Sequence, residues 1–325
     1  MRPFTYHNPS TVSLALSKKG SGSQFIAGGT NLVDLMKKNI SDPEELVDVT
    51  KVLPDTIQLY DKGIRIGAMA RNSAITLDKE ILSGFPLLAK AILAGASPQI
   101  RNMASTGGNL LQRTRCPYFY DTTLPCNKRN PGSGCGAFQG DNRMSAIVGY
   151  SEYCVAVHPS DMCIALAALD ATITFTGKDN RSLTILFKDF HRLPGYTPQL
   201  DNNLPANAVI ASIEIPRNAF NKNYSYLKIR DRDSYAFALI SVAAAFELKN
   251  GKIVDARLAS GGVAHKPWRW YKSEQFLKGK EATGTNFREA ATIAVKETKP
   301  LTHNKFKALM LQGAIETALL NCLTS

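Results

Sequence analysis

Apolar and polar positions along the chain follow patterns that predict a mixture of strands and helices. The run QFIAGGTNLVDLMKK, which begins at Gln24, predicts a short apolar strand, a Gly-Gly turn and an amphipathic helix. Two further strand-like runs, EELVDVT and GIRIGAM, are separated by a polar segment that we interpret as a turn. Residues Ala89–Ala96 predict a helix, which ends where Ser97–Pro98 disfavours helical backbone.

The second half of the chain continues this mixed pattern. Strands are predicted for six runs: AIVGYSEYCVAVH, ATITFTG, LTILFKDF, AVIASIEIP, YSYLKIR and GKIVDARLASGGV. A helix is predicted for HPSDMCIALAALDA, with Ser160 or Asp161 as its N-cap. The run SYAFALISVAAAFEL is compatible with a strand or with a strand followed by a helix, and roughly the last 55 residues have a helical pattern. The polar run PRNAFNKN predicts a linker between two domains.

Composition and charge restrict the class of protein. With 325 residues and 44% hydrophobic content, the chain can bury a large core in two domains or one large one. It has no run of 18 apolar residues that would predict a membrane-spanning helix, and its N-terminus lacks the apolar stretch of a secretory signal. The net charge is +12, but Lys and Arg are scattered, which favours bound phosphates or an acidic partner subunit over nucleic acid.

Four of the six cysteines lie in one irregular segment. They are Cys116, Cys126, Cys135 and Cys154, with the spacing C-x9-C-x8-C-x18-C. The segment is rich in Pro, Gly and Asn, so it buries little apolar surface, and metal–thiolate bonds could order it instead. The spacing is wider than that of structural zinc sites, which favours an iron–sulfur cluster, with zinc as the alternative.

Two Gly-Gly motifs predict a phosphate-containing ligand. GGTN at Gly28–Asn31 lies between a strand and a helix, where converging N–H groups and the helix start favour an anion. TGGN at Thr106–Asn109 repeats this pattern. Neither is a G-x-G-x-x-G or Walker A motif, and each alone could be an ordinary turn. Together they suggest one ligand that is held from two sides.

Other polar and sulfur-containing residues have structural alternatives. Asp161 could cap its helix or bind the sugar hydroxyls of a nucleotide. His158 could be a ligand, although an isolated histidine is more often structural. Cys163 and Cys322 lie in apolar helical patterns and are predicted to be buried thiols.

Several of these runs resemble one known family. FIAGGTNLVDLMK, ASTGGNLLQRTRCPYFYDTTLPCNKRNPGSGC, HPSD and IEIP followed by YLKIRDRDSYAFALISVA resemble the FAD-binding subunits of molybdenum hydroxylases, the xanthine dehydrogenase and aldehyde oxidoreductase family. The resemblance covers almost the whole chain. The cysteine segment is similar to that of flavin subunits from bacterial periplasmic aldehyde oxidoreductases, which carry a [4Fe–4S] cluster beside FAD. The flavin subunit of 4-hydroxybenzoyl-CoA reductase also has such a cluster.

The resemblance implies an α+β fold. Residues 1–217 would form a vanillyl-alcohol-oxidase (PCMH) type FAD-binding domain of two α/β subdomains, with the [4Fe–4S] insertion at about 113–155. Residues 222–325 would form a smaller α/β domain of the CO dehydrogenase flavoprotein C-terminal type.

The resemblance also implies the site residues. The four cysteines would bind the [4Fe–4S] cluster. Asp161 would hold the ribityl or adenosine part of FAD, Lys228 and Ile100 would lie near the isoalloxazine ring, and the backbone around Ile210 would contact the flavin. The two pyrophosphate loops would comprise Gln24, Phe25, Ile26, Ala27, Gly28, Gly29, Thr30, Asn31 and Leu32, and Ser105, Thr106, Gly107, Gly108 and Asn109.

The function implied by the resemblance is electron transfer. A molybdenum-cofactor large subunit would oxidise an aldehyde to a carboxylic acid, and a [2Fe–2S] small subunit would pass the electrons to FAD in this chain, which would reduce an external acceptor. No residue of this chain beyond its FAD is expected to be catalytic. Alternatives are the flavin subunits of xanthine dehydrogenase or 4-hydroxybenzoyl-CoA reductase, and, from another class, a zinc-stabilised binding module. We expect the complex in the periplasm, exported with its partners, with the cytoplasm as the alternative.

Overall fold

A three-stranded parallel sheet forms the N-terminal part of the protein. The structure, a computed structural model, describes residues 1–324. The strands have the order β1-β3-β2 and are connected by two short helices. The elements are β1 (Thr5–His7), α1 (Val12–Ser17), β2 (Ser23–Ile26), α2 (Leu32–Lys37) and β3 (Glu45–Asp48). The predicted sequence of strand, Gly-Gly turn and helix is therefore confirmed for β2 and α2.

A five-stranded antiparallel sheet follows, with the order β4-β5-β8-β6-β7. Its strands are β4 (Ile57–Tyr60), β5 (Gly63–Gly67), β6 (Thr172–Thr176), β7 (Ser182–Leu186) and β8 (Val209–Pro216). Strand β4 lies in the segment that we interpreted as a turn. That interpretation was wrong because Ile57–Tyr60 pairs with the edge of β5, and such pairing does not require a strongly apolar sequence.

Within the described residues, nine helices and helical turns connect or flank these strands. They are α3 (Asn72–Leu77), α4 (Lys79–Gly84), α5 (Pro86–Ala94), α6 (Pro98–Met103), α7 (Thr106–Leu110), α8 (Pro117–Tyr120), α9 (Gly136–Gln139), α10 (Asp161–Ala168) and α11 (Phe187–Phe190). The predicted helix at Ala89–Ala96 begins earlier, with Pro86 at its first position, where proline is tolerated. Ser160 is the N-cap of α10, as predicted.

Two predictions for this region were wrong. The second Gly-Gly motif is not a turn but forms α7, because the Ser105 hydroxyl caps the helix by accepting from Gly108 N at 3.3 Å. The run AIVGYSEYCVAVH forms no strand in the described chain, because two consecutive N–H groups share one acceptor instead of alternating along a ladder. Ile147 N and Val148 N both donate to Val263 O.

The C-terminal part contains a four-stranded antiparallel sheet covered by helices. The strand order is β12-β11-β10-β9. Its elements are β9 (Tyr224–Ile229), β10 (Ile240–Lys249), β11 (Lys252–Gly261), β12 (Trp268–Arg269), α12 (Tyr271–Leu277), α13 (Gly284–Val295) and α14 (Phe306–Asn321). The run SYAFALISVAAAFEL therefore contains a strand and no helix.

Strand β10 is apolar on both faces because it is covered on both sides. Val242 and Phe246 belong to the core formed with α13 and α14. Ala243 and Ala245 belong to the larger core, which extends to α5 and α10. The C-terminal sheet is thus packed against the preceding part of the chain. Within residues 1–324, no helix has the length and apolar character needed to cross a bilayer.

Candidate functional site

A cleft of about 650 Å³ runs between the β2–α2 turn on one side and α7 and the start of β8 on the other. Both Gly-Gly motifs contribute to it, so the tertiary structure brings together two segments that are far apart in sequence. Twelve of the predicted cofactor-binding residues line the cleft: Gln24, Phe25, Ala27, Gly28, Gly29, Thr30, Asn31, Leu32, Ser105, Gly107, Gly108 and Ile210.

Close backbone packing explains the glycines of the first motif. A Cβ atom at Gly28 would lie 1.8 Å from the carbonyl oxygen of Met103, at the end of α6. Gly29 has φ +71°, a left-handed conformation that glycine adopts readily. The turn therefore packs against α6 more closely than any side chain would allow.

The two motifs differ in the availability of their N–H groups. Within residues 1–324, the N–H groups of Gly28, Gly29 and Thr30 donate to no protein acceptor. In the second motif, Gly107 N donates to Ala68 O at 2.8 Å, and Gly108 N donates to the hydroxyl of its cap. The first motif can therefore donate hydrogen bonds to an anion, whereas the second shapes the opposite wall.

Asp161 and Lys228 form a buried ion pair outside the cleft. Lys228 Nζ lies 2.8 Å from Asp161 Oδ2, and the Tyr226 hydroxyl donates to Asp161 Oδ1 at 2.7 Å. The two charged side chains are only 5% and 8% exposed. Burial and the adjacent carboxylate raise the pKa of Tyr226 well above its usual value. The carboxylate is therefore fully engaged by protein groups in this arrangement.

The remaining predicted cofactor residues also lie outside the cleft lining. Asn109 Oδ1 accepts from the Ser160 hydroxyl at 2.5 Å, which joins α7 to α10. Asp161 lines a second cavity of about 140 Å³, which separates the cysteine segment from the C-terminal sheet. The residues that line neither cavity are Ile26, Ile100, Thr106, Asn109 and Lys228.

The four cysteines of the irregular segment surround one small void. Cys116, Cys126, Cys135 and Cys154 line a space of about 10 Å³, although the first and the last are 38 positions apart in the sequence. All four are free thiols. Burial raises the pKa of Cys116 to about 11 and that of Cys154 to about 12, so both thiols are protonated at neutral pH.

The spacing of these thiols does not fit a single zinc ion. Zinc–thiolate bonds of about 2.3 Å place the sulfurs of a tetrahedral site about 3.8 Å apart. Among residues 1–324, only His158, Cys163 and His191 bring three potential ligand atoms within 4.8 Å of one another. No three of the loop thiols do so. The loop thiols therefore do not form a preassembled site for a single metal ion in this structure.

Polar side chains hold the cysteine segment in place. Asn127 Oδ1 accepts from Gly132 N at 3.1 Å and from Gly134 N at 2.9 Å. The Arg129 guanidinium donates to the carbonyl oxygens of Tyr118 and Phe119 at 2.7 and 2.8 Å. These bonds replace a regular hydrogen-bond ladder in a segment that has only short helical turns.

A buried charge network joins the cysteine segment to the cleft. Lys128 Nζ and Arg113 Nε contact opposite oxygens of Asp201 at 2.5 and 2.8 Å. Arg113 also lines the cleft, where its backbone N–H donates to Asn31 Oδ1 at 3.0 Å. Although burial opposes ionisation, the two cations hold the pKa of Asp201 down at about 2. Asp201 was not predicted as a site residue, because nothing in the local sequence marks it as the partner of residues more than 70 positions away.

The family follows from matches over both parts of the chain. Residues 2–218 match the family described as the FAD binding domain in molybdopterin dehydrogenase, and residues 224–321 match the CO dehydrogenase flavoprotein C-terminal domain. The chain belongs to the FAD-binding subunits of molybdenum hydroxylases. The family and fold class that the sequence predicted are therefore confirmed, whereas the individual cofactor contacts and domain boundaries stay predictions.

Relatives match this FAD-binding subunit along its whole length. The aldehyde oxidoreductase FAD-binding subunit PaoB of Escherichia coli K12 is 43% identical over 323 residues, which is 98% of each chain. The carbon monoxide dehydrogenase medium chain of Afipia carboxidovorans is 23% identical over 97% of this chain and 96% of its own. A carbon monoxide dehydrogenase structure from Hydrogenophaga pseudoflava superposes with a TM-score of 0.77 at 23% identity, covering 100% of this chain and 99% of that one, which shows the same fold.

Two buried histidines of this FAD-binding subunit, His158 and His191, pack edge to face, with their ring centroids 4.5 Å apart. Ser160 N donates to His158 Nδ1 at 3.3 Å, which places the imidazole proton on Nε2. His191 Nε2 lies 2.9 Å from Leu110 O, which makes it a donor and leaves Nδ1 as an acceptor. Burial lowers both pKa values, that of His191 to about 4, so both rings are neutral.

Proposed function

We propose that this FAD-binding subunit belongs to a molybdenum-dependent aldehyde oxidoreductase and transfers electrons from partner subunits to an external acceptor. The observation that carries the proposal is the position of the cysteine quartet next to the flavin cleft, in a chain that is 43% identical to an aldehyde oxidoreductase subunit along its whole length. The substrate would be an aldehyde that is oxidised to a carboxylic acid on another chain.

The cleft fits the pyrophosphate of FAD. The free N–H groups of Gly28, Gly29 and Thr30 would donate to the phosphate oxygens, and the glycines let the backbone approach them. Arg113 would add positive charge from the cysteine side of the cleft. When bound, FAD accepts and releases electrons at its isoalloxazine ring, and the protein positions it and sets its electrostatic surroundings.

The four loop cysteines would hold a [4Fe–4S] cluster. Three features support this proposal: the thiols surround one void, no three of their sulfurs lie within 4.8 Å of one another as they would around a single zinc ion, and the segment has little apolar surface of its own. Tyr120 and Phe119 pack this segment onto α2, since the Tyr120 hydroxyl donates to Asp34 Oδ2 at 2.9 Å and Phe119 contacts Leu35. The proposed cluster would therefore lie against the helix that follows the first Gly-Gly motif.

The proposed assembly is a heterotrimer with a molybdenum-cofactor large subunit and a [2Fe–2S] small subunit. The proposed location is the periplasm, reached by export of the folded complex with a partner that carries the signal. The two relatives that match the whole chain are named as an FAD-binding subunit and as a medium chain, which supports the assembly. Cell fractionation followed by co-purification with a tagged copy of this chain would test both.

Cofactor counting tests the proposal directly. We expect the complex, purified anaerobically through a tagged copy of this chain, to contain one FAD, and this chain to bind about four iron and four sulfide. Because partner clusters also contain iron, the count is compared with that of a Cys126→Ser complex, which should be lower by about four iron. One zinc in place of this iron would contradict the cluster, and the absence of flavin would contradict the whole proposal.

A further inference from the structure

Lys128 is a buried cation that faces the cysteine void. Its side chain is 1% exposed, and it lines the void together with the four thiols. Its ammonium group donates to Pro198 O at 2.7 Å and to Asp201 Oδ1 at 2.5 Å. Burial of an ammonium group lowers the stability of the folded state unless the group is paired, so a lysine at this position requires a compensating charge.

One carboxylate compensates this charge only in part. Asp201 is shared with Arg113, whose Nε lies 2.8 Å from the second carboxylate oxygen. Two cations and one anion therefore leave one net positive charge in this network. The nearby Arg129 is a further cation, and its charge is offset by the exposed Asp121, so these two residues leave the net charge of the network unchanged. The surplus positive charge lies between the cysteine void and the cleft.

Four thiolates carry negative charge, and a reduced cluster carries one more negative charge than an oxidised one. A nearby positive charge in a region of low dielectric constant stabilises the more negative, reduced form. Charge and hydrogen bonding around a cluster are general determinants of its reduction potential.

We propose that Lys128, balanced by Asp201, raises the reduction potential of the group bound by the four cysteines and so sets the driving force for electron transfer between that group and the flavin. This inference rests on the cluster proposed above. Lys128 touches no reacting atom and acts through the electrostatic field, while Asp201 positions it.

A series of charge variants separates this role from a purely structural one. Lys128→Met leaves the network with no net charge, Asp201→Asn leaves two positive charges, and the double variant restores a single positive charge on Arg113. The readout is a mediated redox titration of the purified complex, in which the cluster signal is followed by electron paramagnetic resonance. Iron and flavin counts accompany each variant.

The expected shifts have opposite signs. At a fixed solution potential, Lys128→Met should increase the ratio of oxidised to reduced cluster by about tenfold, which is a shift of 59 mV to more negative potential for one electron. Asp201→Asn should shift the potential in the positive direction, and the double variant should return it towards the wild-type value. A merely structural lysine would not produce this reversal.

The outcomes distinguish this inference from the proposal on which it rests. A wild-type complex in which this chain binds no iron would contradict the cluster itself. A wild-type cluster whose potential is the same in Lys128→Met, or shifts in the same direction in both single variants, would overturn the inference alone. If Lys128→Met loses its iron, its cluster potential cannot be measured and Asp201→Asn provides the test. An unchanged cluster potential in Asp201→Asn would then overturn the inference.

Discussion

The glycine-rich cleft and the cysteine segment lie side by side, but different forces shape them. The cleft is shaped by backbone geometry: Gly28 packs against Met103 O where no Cβ fits, and regular elements flank the turn on both sides. The cysteine segment has only short helical turns and is held by side chains such as Asn127 and Arg129. One region is ordered before it meets its ligand, whereas the other depends on polar contacts and, by our proposal, on metal bonds.

The two regions are therefore expected to depend on their cofactors in different ways. A preformed cleft binds its ligand without a large cost in conformational entropy. A segment that is ordered partly by metal bonds gains folding free energy from its metal. Loss of FAD should therefore leave the cleft in place, whereas loss of the proposed cluster should loosen the segment from Cys116 to Cys154.

The largest effect is expected from removing a cysteine. Cys126→Ser should remove all the iron bound by this chain and make the segment sensitive to proteases, because one ligand of the proposed cluster is lost. Cys322→Ala, at a buried thiol of the C-terminal core, should keep both cofactors. Iron and flavin analysis together with limited proteolysis would measure this, and equal iron in both variants would contradict the assignment of ligands.

A substitution in the cleft should act through the backbone. In Gly28→Ala the new Cβ meets Met103 O, so the turn must shift, and we expect the free energy of unfolding to fall by about 3 kcal/mol with less FAD per chain. The control is Gly313→Ala in α14, where nothing lies within 4 Å of the new Cβ and stability should rise by about 0.5–1 kcal/mol. Denaturant unfolding and flavin absorbance would check both; unchanged stability in Gly28→Ala would refute the packing argument.

Acid should weaken the link between the two regions. The pKa of Asp201 is about 2 in the folded protein and near 3.8 in the unfolded chain, so its contribution to stability is present above pH 4 and is lost as the pH falls through 2. Asp201→Asn should lower the free energy of unfolding by about 2 kcal/mol at pH 7, and the difference should vanish near pH 2. Unfolding measured across this pH range would show it.

Asp42→Asn provides the matched control for that series. Asp42 pairs with the exposed Arg2, and such surface pairs contribute little. Its substitution should change stability by less than about 0.5 kcal/mol at any pH. An equally large change in stability in both variants would mean that the buried network around Asp201 contributes no more than a surface ion pair.

The smallest effect is expected at the ion pair outside the cleft. Lys228→Met leaves the buried Asp161 carboxylate with the Tyr226 hydroxyl as its remaining partner, and we expect FAD to bind about tenfold more weakly, or about 1.4 kcal/mol. Lys222→Met, at an exposed position before β9, should leave FAD binding unchanged. Flavin titration of apoprotein would compare them, and equal affinities would show that the flavin site does not extend to Lys228.

Local patterns predicted much of this fold because strands and helices depend on neighbouring residues. The β2–α2 unit, the helix capped by Ser160 and the helical C-terminus were all recognisable from periodicity and capping residues. The failures occurred where a distant partner decides the structure. Strand β4 forms by pairing with β5, and Ile147–Val148 is held by Val263 O rather than by a ladder.

By itself, the sequence determined the family, the four cysteines and the two Gly-Gly motifs, because each depends on residue types at fixed spacing. Only the tertiary structure decided which motif keeps free N–H groups, since in the second motif Ala68 O accepts from Gly107 N and Ala70 O accepts from Thr106 N. Only folding could pair Lys128 with Asp201, because electrostatic partners are selected by proximity in space and not by position in the chain. The residue types of the site were thus recognisable from local sequence, whereas its charge balance depends on contacts between distant segments.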